Sequence, residues 1–208
     1  MTTFFDQLQQ EEEVINTLSK LHGLDGDLGQ ELLRFISLGG TLKGVPGFTL
    51  NNAASVNERF ITHVLGRSLI ESFFQLMHLY DDPTQTTARW DRYKDGFRKE
   101  YGKLMLEPTM QGRLLEPAGA NWNALQPALD VRSVMAQLNN AAGQRLDPLY
   151  VIYRITSFDT HGKTLTALLE DVFGKPVNFP VLNIGFALEL MAEEYISILG
   201  GVRQRLSI

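Results

Sequence analysis

Two stretches of the chain hold residues whose types and spacing suit joint chemistry. In LYVIYRITSFDTHGKT, Tyr150, Arg154, Ser157 and His161 recur at intervals of four, three and four residues, which puts them on one stripe of an α-helix. Val151, Ile152, Ile155 and Phe158 fall on the adjacent face, so a polar line runs beside an apolar one. Arg154 and His161 are then about 10.5 Å apart along the axis at about 1.5 Å per residue, within joint reach of one phosphate-sized group. A break at Asp159 or Thr160 would bring them closer. Arg supplies a permanent forked donor for phosphate oxygens, and His titrates near neutrality, so the pair suits phosphate binding with proton transfer beside it.

The second constellation is His63, Arg67, Glu71, Phe74 and His78, again at helical spacing. Arg67 and Glu71 are four apart on an otherwise apolar helix, so both are expected to be at least partly buried, and buried charges need partners. The stripe of Tyr150, Arg154, Ser157 and His161 is the expected supplier, which predicts that the two helices face each other. A purely structural reading competes at each position: Arg67, Glu71 and Arg154 as an ion-pair network, and His161 as a cap or a core histidine. His63 and His78 are expected at the edge of the core or at the surface, and His22 at a helix C-terminus complements the macrodipole. Glu189, Glu193 and Glu194 hint at a carboxylate metal bundle, but no Glu-x-x-His pair accompanies them, so no metal and no cofactor is expected.

These residues must be positioned by helices. Helical periodicity dominates and no convincing period-two stretch occurs, so the fold class is all-α, a bundle of about seven or eight helices. Helices are expected at about 3–21, 27–38, 55–80, 86–106, 125–140, 148–158, 161–173 and 180–199. Gly39-Gly40 reads as the stop of the second, and Ser55 with Glu58 as a capping box for the third. The third, rich in apolar residues on every side, reads as the central helix. In the fourth, Trp90, Tyr93, Phe97, Tyr101 and Leu104 share one face and are expected to pack inward. Arg89, Arg92, Lys99 and Lys103 lie beside that face, where they suit either solvation or a nucleic-acid backbone. Three prolines between Glu107 and Pro127 predict a long irregular connection at about 107–124, pinned by Trp122.

With 208 residues, 44% apolar and 21% charged, the chain has an ordinary globular composition. One domain over 1–208 is expected, an N-terminal helical pair (1–40) packed on a bundle (55–200). The absence of Cys excludes disulfides, thiolate metal sites and a Cys nucleophile. A net charge of −5 argues weakly against a nucleic-acid coat. Residues 1–31 hold seven acidic residues against one basic, and residues 86–103 six basic against three acidic. The start, MTTFFDQLQQEEE, lacks the basic and apolar regions of a secretory signal, and the longest uncharged runs are 14 and 13 residues, too short to span a bilayer. A cytoplasmic protein without membrane contact is expected. No GxGxxG, Walker, GxSxG or HExxH pattern occurs, which removes nucleotide hydrolysis, esterase and zinc-protease readings.

Arg67-Ser-Leu-Ile-Glu71, the apolar run on to Tyr80-Asp-Asp-Pro83, the aromatic and basic helix, and Tyr153-Arg154-x-x-Ser157-x-x-x-His161-Gly162 together resemble a widespread family of bacterial all-helical domains. The resemblance covers residues 55 to 173. The Arg-x6-His element also resembles the signature of HEPN domains (higher eukaryotes and prokaryotes nucleotide-binding). That resemblance implies a helical bundle, often dimeric, and metal-independent ribonuclease activity in toxin–antitoxin or phage-defence systems, with the motifs of two subunits meeting at the dimer interface. It implies that Arg154 binds the scissile phosphate and that His161 is general acid or base while an RNA 2′-hydroxyl attacks. Arg67, Glu71, Tyr150 and Ser157 would support them. Active members usually carry Asn, Asp or His after the Arg, where this chain has Ile155. Two functions are therefore expected: an endoribonuclease or RNA- or nucleotide-phosphate-binding protein, probable homodimer included in that reading as its assembly, or a non-catalytic interaction module or antitoxin-like subunit with a structural Arg/Glu/His network and a toxin, antitoxin or defence subunit as partner.

Overall fold

A computed structural model of the chain describes residues 2–44, 56–110, 116–139, 144–160, 165–175 and 182–207. Among these, the secondary structure is helical and contains no strand, so the chain is all-α. The helices are α1 (Phe4–Gln10), α2 (Glu12–Leu18), α3 (Leu24–Lys43), α4 (Val56–Tyr80), α5 (Thr86–Leu106), α6 (Val131–Met135), α7 (Asp147–Thr160), α8 (Leu165–Phe173) and α9 (Ile184–Leu206). None of them is long and apolar enough to cross a membrane.

The chain gathers into two compact units, Met1–Phe73 with Asn140–Ile208, and Phe74–Asn139. These are units of contact, and the boundary falls inside α4. In the first unit, Phe5, Phe35, Phe73 and Tyr195 are buried together. Ring centroids lie 5.6 Å apart for Phe5 and Phe35, 5.0 Å for Phe35 and Tyr195, and 5.3 Å for Phe73 and Tyr195. The Tyr195 contacts are edge-to-face, the arrangement the ring quadrupole favours. Beside them, Arg34 of α3 donates to Ser68 Oγ (3.2 Å) and Ser72 Oγ of α4 and pairs with Glu31 at 2.8 Å.

Several helix ends differ from expectation. The first expected helix is two, because the backbone turns out of helical geometry at Glu11 (φ −86°, ψ 9°). α3 runs through Gly39-Gly40 to Lys43. The absent side chain of Gly39 serves packing instead of a stop: a Cβ there would lie 2.5 Å from Phe5 Cε2. The expected 125–140 helix contracts to α6, whose start is set by Asp130 accepting from the Ser133 amide at 2.7 Å. α9 continues through Gly200-Gly201 to Leu206. Ser55 and its capping box lie outside the described residues.

In the second unit the aromatic stripe of α5 does not pack inward. Phe97 and Leu104 are exposed, and Gly96 and Gly102 are the buried positions of this helix. The segment after the helix lies on the glycines, so close that a Cβ on Gly96 would meet the Ala128 backbone at 2.6 Å. The aromatics flank that contact: Trp90 stacks on Tyr93 at 5.6 Å, and Tyr101 meets Trp122 edge-on at 5.9 Å. Trp122 thus pins the connection as expected. The four basic residues are mostly engaged: Lys99 donates to the Leu125 carbonyl, Lys103 pairs with Glu100 (2.6 Å), and Arg89 lies 3.9 Å from Asp81.

Candidate functional site

α4 and α7 face each other through Arg67. Its Nη1 donates to Ser157 Oγ and to the Tyr153 carbonyl oxygen (3.3 Å), and its Nη2 donates to Tyr153 Oη (3.1 Å). The guanidinium also covers the Tyr153 ring, with Cζ 4.3 Å from the centroid, a cation–π contact. Ser157 turns its own proton back to the Tyr153 carbonyl at 2.8 Å, leaving its oxygen to accept from Arg67. The expectation that Arg67 is partly buried and finds partners on the second helix holds: its side chain is 16% exposed.

Glu71 departs from that expectation. Its carboxylate is 4.0 Å from Arg67 Nη2 and 51% exposed. With α7 already satisfying the guanidinium, nothing draws the carboxylate out of water, and so exposed a pair contributes little.

Tyr150 and Arg154 lie further round α7. Tyr150 stacks against Tyr153 (centroids 6.2 Å, interplanar angle 23°), and Arg154 Nη1 reaches Tyr150 Oη at 3.4 Å, a long contact. Arg154 is exposed. The adjacent face is not wholly apolar core: Ile152 is buried, but Val151 and Phe158 are each more than half exposed. On a helical wheel Val151, Arg154 and Phe158, at intervals of three and four, form one outward stripe, and Tyr153 and Ser157 lie on the side that meets α4. His161 lies outside the described residues, so its relation to Arg154 is not part of this geometry. The site therefore joins Arg67, Ser157 and, marginally, Glu71, with Tyr150 and Arg154 at its edge.

Tyr153 is the residue that stripe reasoning missed. It presents three groups to Arg67, its ring, hydroxyl and carbonyl. The signal was present, since Tyr153 is four residues before Ser157 and three after Tyr150. His63 and His78 are both buried, not at an edge. Among the described residues no group of three His, Asp or Glu gathers as a metal site.

No family model, curated protein or solved structure matches the chain.

Proposed function

We propose that the protein is a non-catalytic helical interaction module that binds a second copy of itself through the outward stripe of α7 and the outer face of α8. The observation that carries this reading is the apolar surface flanking Arg154. Val151 and Phe158 on α7, and Val172 and Phe173 on α8, are each more than half exposed, with Leu168 close behind. Exposed apolar groups collected on helix faces favour burial against a partner. Charge supports a self-partner: α7 offers Arg154, and α8 offers the exposed carboxylates of Glu170 and Asp171, the complementarity a two-fold interface needs. The saturated partners of Arg67 support a structural role for that residue.

Size-exclusion chromatography with light scattering tests the reading. A dimer is expected for the wild type, and monomers for Phe158→Glu and Val172→Glu with unchanged circular dichroism. A monomeric wild type at micromolar concentration would sink it.

A second reading, a HEPN-like metal-independent endoribonuclease or RNA-phosphate binder in a defence or toxin–antitoxin setting, is favoured by the solvent-facing guanidinium of Arg154. It predicts RNA cleavage in EDTA that Arg154→Ala and His161→Ala both abolish. The first reading predicts no cleavage by any of the three proteins.

A further inference from the structure

The second unit contains a cleft of about 270 Å³, counted to its open mouth and lined by His78, Arg89, Arg92, Tyr93 and neighbours. That is smaller than the roughly 300–1,000 Å³ of pockets for drug-sized molecules, so what fills it is small or enters by one end. The Asp81 carboxylate lies 3.9 Å from Arg89, which also donates to the His78 carbonyl. Arg92, three residues on and so on the same side of α5, is exposed and has no ion pair among the described residues. Two guanidinium groups against one carboxylate leave the cleft with excess positive charge.

His78 adds the second observation. It is 5% exposed, and its Nδ1 is the only buried side-chain nitrogen or oxygen among the described residues without a hydrogen-bond partner. Native proteins leave few such atoms unsatisfied, and each calls for a partner. Burial, reinforced by Arg89 and Arg92 and opposed by Asp81, holds this imidazole below its ordinary range. A bound anion would supply the missing counter-charge and give Nδ1–H an acceptor.

We propose that this cleft binds a phosphate group, held by Arg92, Arg89 and a protonated His78. The group is either free phosphate or the terminal phosphate of a monoester. This inference is independent of the self-association proposed above.

The test is NMR of the ring nitrogens in full-length protein labelled with ¹⁵N-histidine, titrated at neutral pH with inorganic phosphate, and with sodium chloride at matched ionic strength. His78 is expected to shift saturably towards the imidazolium position with phosphate alone, with a dissociation constant of about 1 mM. Arg92→Gln, a surface substitution whose fold circular dichroism verifies, is expected to weaken binding about tenfold, the effect of losing one charge-assisted hydrogen bond. A parallel titration with adenosine 5′-monophosphate separates the sources: tighter binding than phosphate identifies a monoester, and equal or weaker binding identifies free phosphate. No saturable shift at His78, an equal shift with chloride, or undiminished binding by Arg92→Gln overturns the proposal.

Discussion

Arg67 holds α4 to α7 through neutral partners, and this decides what its loss does. Arg67→Ala strands Tyr153 Oη and Ser157 Oγ in a half-buried site and removes the cation above the Tyr153 ring. Urea denaturation is expected to show a loss of about 2–3 kcal/mol. Glu71→Gln is expected to stay within about 0.5 kcal/mol of wild type, because its carboxylate is half in water. Equal losses for the two variants would mean that the ion pair, not the tyrosine, holds the helices. Asp27 gives a pH signature at the same scale. Burial first, then the charge of Glu31, raises its pKa from 3.8 to about 6. The folded state therefore takes up this proton more readily than the unfolded chain. The stabilisation that follows is complete below pH 3.8 and is lost as pH rises through about 6. At pH 8 the ionised carboxylate is a standing cost, so Asp27→Asn is expected to stabilise the protein there by about 1 kcal/mol, a figure reduced for the partly exposed side chain. Melting curves should show the gain vanish towards pH 3.5, and a gain equal at both pH values would remove the charge as its cause.

At the scale of elements, α2 and α3 meet at glycine. A Cβ on Gly29 would lie 2.3 Å from the Ser19 amide nitrogen, and the neighbour is backbone, which cannot step aside cheaply. Gly29→Ala should lower stability by about 1–3 kcal/mol. Gly40, inside the same helix with nothing within 4 Å of its Cβ position, should do the reverse: Gly40→Ala gains about 0.5–1 kcal/mol by stiffening the unfolded chain. Thermal melts of the two single variants check the contrast, and the same sign in both would refute this use of α3. The contrast also shows what the sequence made legible. α5 was read to its boundary residues, Thr86 and Leu106, because a proline turn precedes it and its aromatics keep a helical period. Its inward face was misread, because glycine carries no hydrophobic signal although it allows the closest backbone approach. Gly39-Gly40 looked like a stop for the same reason: only the position of the Phe5 ring shows that the missing side chain is a packing device. At the candidate site, a charge on an apolar helix announced that it needed partners, and Ser157 was found. Tyr153 was not, since a backbone carbonyl and a ring face have no spacing rule of their own.

At the scale of the molecule, the two units bury very different amounts of apolar surface. Among the described residues, the second unit buries the apolar side chains of Phe74, Leu76, Leu79, Val131 and Val134, whereas the first buries apolar side chains from α1, α2, α3, α4, α7 and α9. Five such side chains make a small core, and a segment of that length ordinarily needs a disulfide or a metal to fold alone. The chain has no Cys, so no disulfide is open to it. What the second unit does have is α4, which enters it already formed: Phe73 and Phe74 are consecutive residues of one helix, so nucleation has been met before the boundary. Residues 74–139 expressed alone are therefore expected to be unfolded by circular dichroism, without a cooperative melt. In the intact chain, hydrogen exchange should find the amides of α5 and α6 opening at lower free energy than those of α3 and α9, which carry the buried aromatic cluster. A fragment that melts cooperatively, or α5 amides protected as strongly as those of α9, would show that the second unit stands on its own core.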